Sequence, residues 1–262
     1  MTLVLIRGIG DVGSAVAHRL FRAGRAVVIH DTASPAYPRR GMAFTDAVFD
    51  GTAQLEGVFA KHARTVASLK AMAGSNRAIA VFTGDLAELI EAIRPDVLVD
   101  ARMLKHRLPE EQRELAHLTI GLGPNFIAGE TTDLVVETAW GQRLGQIIKR
   151  GPSLPLGGEP KALAGHGRDR FVYTEEAGEF VTEFEIGDAV VQGDAVGRIG
   201  DAIIRAPLTG RLRGLTHSGV WVNKDSKVVE VDARGDNAIV RGLGERPTRI
   251  AEGVLEAIKC LR

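Results

Sequence analysis

Three glycines near the N-terminus have the spacing that phosphate binding requires. Gly8-x-Gly10-x-x-Gly13 follows a short apolar run and precedes a helical pattern, which is the context of the dinucleotide-binding fingerprint. There the first glycine permits a tight turn, the second lets a pyrophosphate approach the backbone, and the third allows close helix–strand packing. Because N–H groups at a helix N-terminus attract phosphate, the candidate ligands are Gly8, Gly10, Asp11, Val12 and Gly13.

Charged residues on both sides of this loop suggest further contacts. Asp31 ends the second apolar run, where an acid commonly holds ribose hydroxyls. Asp11 would repel an anion if it pointed inward, so we expect it to cap the helix by accepting backbone N–H bonds. Arg39 and Arg40 follow at a distance suited to a 2′-phosphate or another anion. The alternative for these two arginines is a solvated loop pair.

A second glycine-rich loop supplies the other half of the predicted pocket. It follows a predicted strand and therefore lies at the carboxyl edge of the sheet, where ligands of α/β proteins bind. Its candidate binding residues are Gly121, Gly123, Pro124, Asn125 and Phe126. No catalytic residue or metal site is identified, because the histidines lack metal spacing and neither Gly-x-Ser-x-Gly nor a Walker A sequence occurs.

The elements that must position these loops alternate between strand and helix. Buried strands are predicted over 3–6, 26–29, 78–82, 97–100 and 119–122, helical patterns over 12–21, 58–73 and 85–93, and irregular structure over 32–57. This alternation predicts an α/β fold, with a Rossmann-like nucleotide-binding domain over residues 1–150. Residues 151–167 are rich in glycine and proline and indicate a linker.

Residues 168–236 have the short alternating segments of a small all-β domain. Gly178, Gly187, Val190 and Val196 recur at one constant interval as Gly210, Gly219, Val222 and Val228. The stretches at 187–193 and 206–210 resemble those of the biotinyl/lipoyl-like barrel-sandwich family. The hairpin over 199–204, where carrier members present a modified lysine, has none, so a carrier role is excluded. A binding surface, a dimer contact, a lid and a purely architectural barrel remain open. Residues 237–262 predict a C-terminal helical segment that packs back.

Composition narrows the function classes. The chain has 33 basic and 33 acidic residues, and this neutral balance gives no support to nucleic-acid binding. The apolar runs are too short for a membrane span or a signal peptide. The single cysteine, Cys260, excludes an internal disulfide. We therefore expect a cytoplasmic protein, and a homo-oligomer is compatible with the sequence.

Motifs at 6–20, 39–51, 95–101 and 121–129 together closely resemble the YqeB family of selenium-dependent molybdenum hydroxylase accessory proteins. They read Ile-Arg-Gly-x-Gly-Asp, Arg-Arg-x-x-x-Phe, Pro-Asp-Val-Leu-Val-Asp-Ala and Gly-Leu-Gly-Pro-Asn-Phe-x-Ala-Gly. The resemblance implies a role in maturing a molybdenum hydroxylase client. One departure is Trp140-Gly141-Gln142, where the family pattern leads us to expect Arg-Gly-His.

Three functional hypotheses follow. The first is an accessory protein that binds a nucleotide-like ligand such as molybdenum cofactor, as molybdopterin or its dinucleotide. The second is an NAD(P)-dependent oxidoreductase, for which no proton-transfer residue is evident. The third is a non-catalytic interaction scaffold in which the glycines only pack.

Overall fold

The computed structural model describes residues 2–104, 107–157 and 160–259. Its larger sheet has nine strands and lies in the N-terminal part of the chain. Strands β1 to β5 are Leu3–Arg7, Ala26–His30, Thr52–Leu55, Val58–His62 and Ile79–Phe82. Strands β6 to β11 are Val97–Asp100, Leu118–Leu122, Ile127–Ala128, Leu134–Val136, Ile147–Ile148 and Gly151–Pro152, of which β8 and β11 form a separate pair.

The large sheet is mixed and mostly parallel. Its spatial order is β10-β9-β7-β6-β1-β2-β5-β4-β3, with antiparallel pairing only between β10 and β9 and between β4 and β3. The parallel strands β5-β2-β1-β6-β7 stand in the order 3-2-1-4-5 of doubly wound sheets. Their carboxyl ends therefore meet along one edge, and the glycine loop after β1 lies at the centre of that edge.

Five α-helices accompany the sheets in the described residues: α1 Asp11–Arg22, α2 Asp46–Asp50, α3 Val66–Ser75, α4 Leu86–Ile93 and α5 Glu245–Lys259. Alternate residues of β1 point to opposite faces. Val4 and Ile6 join the core under α1 and α5, whereas Leu5 joins the core under α3 and α4. The C-terminal helix α5 packs along α1, where Arg19 Nε binds Glu252 Oε1 at 2.7 Å.

The prediction of a helix over residues 58–73 is wrong in its first third. Val58 and Ala60 are buried while Phe59 and Lys61 are exposed, which is the two-residue period of a strand, and this segment forms β4. The helix α3 starts only after Thr65, whose hydroxyl accepts a hydrogen bond from the Ser68 N–H. The region 32–57, predicted to be irregular, contains α2 and β3.

The C-terminal half contains two four-stranded antiparallel sheets around their own apolar core. Strands β12 to β15 are Phe171–Tyr173, Gly178–Val181, Ala189–Val190 and Ala195–Ile199, and β16 to β19 are Ala202–Arg205, Gly210–Leu215, Val220–Val222 and Lys227–Asp232. The sheet orders are β12-β19-β17-β14 and β16-β15-β13-β18. We refer to these eight strands as the β unit.

The internal repeat appears in the β unit as equivalent strand pairs. Gly178 pairs with Val222, and its counterpart Gly210 pairs with Val190. Likewise β13 pairs with β15 as β17 pairs with β19. Each half of the repeat thus contributes one strand to the sheet that contains the other half's remaining strands.

No helix in the described part of the chain has the length and apolarity that crossing a membrane requires. Cys260 lies outside the described residues, and so does Gly158 in the predicted linker.

Candidate functional site

The glycine loop has tight geometry where β1 leads into α1. Gly8 has a φ of +108°, which favours glycine, and its N–H donates to the His30 carbonyl at 2.8 Å. A Cβ on Gly8 would lie 2.9 Å from the Ala101 carbonyl, and a Cβ on Gly13 would overlap the Gly8 carbonyl oxygen. These two glycines are therefore required by close backbone packing.

Asp11 does not cap α1, contrary to the expectation from sequence. The N-cap is Gly10, which has no side-chain cap, and Asp11 is the first helical residue. Its carboxylate instead accepts a hydrogen bond from Arg39 Nη1 at 3.2 Å and lies beside the Tyr37 hydroxyl. Burial raises the pKa of Asp11, but the neighbouring Arg39 and the Tyr37 hydroxyl outweigh it, so the pKa lies below its usual value and Asp11 is ionised.

Tyr37 covers the position where the fingerprint would receive a phosphate. A Cβ on Gly10 would lie 3.0 Å from the Tyr37 ring, so the ring rests directly on the loop. The Tyr37 hydroxyl lies beside both the main chain and the carboxylate of Asp11, and both groups influence its pKa. A phenol oxygen thus takes the place at the helix N-terminus that an anion's oxygen would take.

Arg39 connects this closed loop to the β unit. Besides Asp11, it binds the carboxylate of Glu230 on β19, with Nε to Oε2 at 2.6 Å. Burial lowers the pKa of Arg39, but Glu230 and Asp11 outweigh that effect and hold it above its ordinary value. Arg39 is therefore engaged in two ion pairs and does not stand free for a 2′-phosphate.

Glu230 is fully buried and lies among an excess of cations. Arg39, Arg170, Arg213 and Lys227 approach its carboxylate at 2.6, 3.2, 3.4 and 3.7 Å. Burial raises the pKa of Glu230, but these cations, led by Arg39, bring it down to about 2. Arg213 also contacts Asp232, at 3.7 Å. The junction between the glycine loop and the β unit is thus rich in positive charge.

Arg246, in the first turn of α5, adds another cation beside the loop. Its Nε donates to the Thr138 carbonyl at 2.7 Å, and no carboxylate among the described residues stands at ion-pair distance from its guanidinium. Burial and then the charge of Arg39 lower the pKa of Arg246, against the longer-range attraction of Asp11. We call Arg39, Arg170, Arg213, Lys227 and Arg246 the cation cluster.

Asp31 and Arg40 have roles other than those considered from the sequence. Asp31 turns back onto the glycine loop, where Oδ2 accepts the Ile9 N–H at 2.7 Å and Oδ1 accepts the Thr32 N–H at 2.7 Å. Arg40 is buried and donates to the Leu215 carbonyl and to Asp46, both at 2.8 Å. It is neither a solvated loop residue nor a side chain free to bind a phosphate.

Within the described residues, the space between the second glycine loop and the first is filled by side chains and main chain and is not an open pocket. A Cβ on Gly121 would overlap the fully buried ring of Phe126, which packs back into the core. Gly123 has a φ of +117° and adjoins Met103, and Asn125 Nδ2 donates to the Leu104 carbonyl at 3.2 Å. Pro124 is buried beside them. Residues 101–104 touch both loops and fill the space where the shared pocket is predicted.

An ion network closes the carboxyl edge where β1 and β6 end. Arg7 and Asp100 are register partners, and Asp100 is fully buried. Arg7 Nη1 binds Glu110 at 2.7 Å, and Arg102 binds Asp100 at 2.6 Å. Arg7 therefore pairs with acids and does not stand free for a ligand. Opposite charges at the ends of adjacent parallel strands were the available signal for this network.

Comparison with known proteins gives one strong similarity. No family model matches the chain. YqeB of Escherichia coli (strain K12), a curated protein described as uncharacterized, is 37% identical over 260 residues, which are 99% of this chain and 48% of YqeB. The chain therefore spans about half the length of this curated relative.

Solved structures resemble the chain only weakly. The apo ectoine utilization protein EutE (DoeB) from Ruegeria pomeroyi is 13% identical, covers 88% of this chain and 86% of its own, and has a TM-score of 0.25. An aspartoacylase family protein from Mesorhizobium loti is 12% identical with coverages of 88% and 84% and the same TM-score. At these scores neither likeness carries an argument.

The similarity to one half of YqeB, along nearly the whole chain, supports the resemblance to the YqeB family that the motifs indicated.

Proposed function

We propose that this chain is a cytoplasmic accessory protein for a selenium-dependent molybdenum hydroxylase and binds a phosphate-bearing, nucleotide-like ligand at its glycine loop. The observation that carries the ligand part is the cation cluster. Glu230 alone faces three arginines, Arg39, Arg170 and Arg213, and Arg246 has no carboxylate at ion-pair distance in the described residues. An anionic ligand would complement this excess charge.

The closed loop determines how such a ligand would enter. The Tyr37 hydroxyl and the Asp11 carboxylate hold the positions that phosphate oxygens would hold. Both belong to side chains that can turn away, and Asp11 and Arg39 are partly exposed. Binding would replace the Asp11–Arg39 ion pair with a phosphate–Arg39 ion pair, so the ligand competes with groups of the chain itself.

The β unit is proposed to be a biotinyl/lipoyl-like barrel-sandwich that has lost the carrier function. In this proposal it contributes cations to the site and covers the glycine loop of a Rossmann-like domain. Three members of the cation cluster, Arg170, Arg213 and Lys227, belong to it or directly precede it. The unit would then be a lid whose closing supplies charge, in place of a carrier hairpin.

The resemblance to the YqeB family favours molybdenum cofactor or its dinucleotide as the ligand. NAD(P) is the rival, since the strand order and the glycine spacing suit it equally well. Isothermal titration with molybdenum cofactor, NADP and pyrophosphate as separate probes distinguishes them. Saturable binding of the cofactor with no binding of NADP supports the accessory role, and the reverse result supports an oxidoreductase.

Two variants with opposite expected effects test the site itself. Asp11→Asn removes the carboxylate that competes for Arg39, so we expect about tenfold tighter binding, whereas Arg246→Gln weakens binding about tenfold. Arg22→Gln, exposed at the other end of α1, is the matched control and leaves affinity unchanged. If none of the probes binds to wild type or to Asp11→Asn, ligand binding at the loop is wrong.

The interaction scaffold is the second candidate, and the closed network around Tyr37 and Arg39 favours it. In that case the cations would serve only to hold the β unit against the sheet. A pull-down from selenium-supplied cells would return a molybdenum hydroxylase subunit while no nucleotide changes the melting temperature.

A further inference from the structure

A groove opens on the carboxyl edge of the large sheet beside β4 and β5, separate from the glycine loop. Both strands are parallel and end at this point, and β2 stands between them and β1. The groove has a volume of about 370 Å³, within the range of small-molecule sites. Its lining residues are Val48, His62, Ala63, Arg64, Phe82, Thr83 and Gly84.

One side of the groove is apolar. Its lining residues are Val48, Ala63 and Phe82, and the side chains of all three are almost completely buried. A Cβ on Gly84 would lie 2.6 Å from the Phe82 ring, so a glycine lets the loop after β5 pass close to that ring. This wall suits the flat or apolar body of a small molecule.

On the polar side of the groove, His62 and Thr83 keep one hydrogen-bond donor after they have bonded to each other. His62 Nε2 and Thr83 Oγ1 are 3.1 Å apart. A neutral histidine and a threonine carry two polar hydrogens between them, and their mutual bond uses one. In either tautomer the pair therefore keeps one N–H or O–H for another acceptor. Burial and then the charge of Arg64 lower the pKa of His62, which keeps the ring neutral at pH 7.

Arg64 makes this donor-rich side electropositive. Its side chain is exposed, and none of the hydrogen bonds or ion pairs formed among the described residues involves it. Among the described residues, no acidic side chain lines the groove. Because a guanidinium binds carboxylate and phosphate through two parallel hydrogen bonds, the polar side matches an anionic group.

We propose that this groove binds a small organic anion, a carboxylate or phosphate attached to a flat apolar body. Arg64 and the His62–Thr83 pair hold the anionic group, and Phe82 and Val48 contact the body. The proposal does not depend on a ligand at the glycine loop, because it uses no residue of the cation cluster.

Titration of the ¹⁵N-labelled full chain with benzoate and with phenyl phosphate tests the proposal. We expect saturable amide shifts concentrated at residues 62–64 and 83–84, and at least about tenfold weaker binding of acetate and inorganic phosphate, which lack the body. Saturation by benzoate alone or by phenyl phosphate alone supports the site and fixes its anion. Shifts that are not saturable, or that acetate reproduces at the same concentration, overturn it.

Substitutions distinguish binding of the probe in this groove from binding elsewhere on the protein. Arg64→Gln weakens binding of the aromatic probe at least fivefold, whereas Arg77→Gln, an exposed arginine just beyond α3, leaves it unchanged. Arg246→Gln also leaves it unchanged, so failure at the glycine loop and failure here are distinguishable. Equal affinity in wild type and Arg64→Gln would show that the anionic group is not held as proposed.

Discussion

Arg39 and Glu230 are joined by two hydrogen bonds, from Nε to Oε2 at 2.6 Å and from Nη2 to Oε1 at 3.1 Å, across 191 positions of the chain. The same guanidinium reaches Asp11 through Nη1. One side chain after β2 thus connects the glycine loop to strand β19 of the β unit. The placement of the β unit against the sheet and the closed state of the loop depend on the same contacts.

Replacing Glu230 by glutamine should destabilise the protein by about 3 kcal/mol at pH 7, because it removes a buried carboxylate that four cations approach within 4 Å. The pKa of Glu230 falls from 4.5 to about 2 on folding, so its stabilising contribution is complete above about pH 4.5 and is lost as the pH falls towards 2. The difference in unfolding free energy between wild type and Glu230→Gln should shrink over that range. Urea unfolding from pH 7 to 3 measures it.

Glu256→Gln is the matched control for this prediction. Glu256 pairs with Lys259 at 3.0 Å on the exposed face of α5, where an ion pair contributes within about 0.5 kcal/mol. A Glu230→Gln variant as stable at pH 7 as Glu256→Gln would contradict the prediction.

Tyr37 should stay protonated for as long as the protein is folded. Burial raises its pKa well above the ordinary 10.0, and the Asp11 carboxylate raises it further. The folded state therefore loses stability as the pH rises above 10, because the unfolded chain releases the proton more readily. An alkaline titration followed by phenolate absorbance should give the same curve for wild type and Tyr37→Phe until unfolding begins. A wild-type excess before unfolding would show that the hydroxyl is accessible.

Much of the large sheet follows from local sequence. Continuous apolar runs predict strands inside a parallel sheet, and the structure has strands at each of the five predicted runs, of which residues 4–6 are fully buried. The sequence does not predict β4, because residues 58–73 combine a strand and a helix without a glycine or proline between them, and β3 lies in the region 32–57 that was predicted to be irregular. The repeat predicted two similar halves in the β unit, and their pairing follows the same interval.

The environment of the site could not be predicted in the same way. The partners of Arg39 and Arg40 include Glu230 and the Leu215 carbonyl, which lie 191 and 175 positions away. Local rules favour a capping role for an acid such as Asp11, but tertiary contacts with Tyr37 and Arg39 override that preference. Spacing identified the loop, and only the folded chain shows what covers it.

Ser14→Ala should destabilise the protein by about 2 kcal/mol. The buried Ser14 hydroxyl donates to the Ile9 carbonyl at 2.8 Å and accepts the Phe44 N–H at 2.9 Å, so it joins the glycine loop to the segment before α2. Its loss leaves the buried Phe44 N–H unpaired and leaves the Ile9 carbonyl with only the longer bond from the Thr45 hydroxyl, at 3.4 Å. Chemical denaturation measures the change. Ser75→Ala, exposed at the end of α3, should change stability by less than about 0.5 kcal/mol, and equal effects would contradict this account.

Alanine at two helical glycines should change stability in opposite directions. At Gly13 the added Cβ overlaps the Gly8 carbonyl, which is backbone and cannot turn aside. We expect a loss of about 3 kcal/mol or a failure to fold. At Gly74, in α3, nothing lies within 4 Å of the added Cβ, so Gly74→Ala should gain up to about 1 kcal/mol through helix propensity. Urea unfolding followed by far-ultraviolet circular dichroism compares the two. Because both glycines are helical, a propensity effect alone would stabilise both variants, and a stabilised Gly13→Ala would show that α1 does not approach the end of β1 as closely as described.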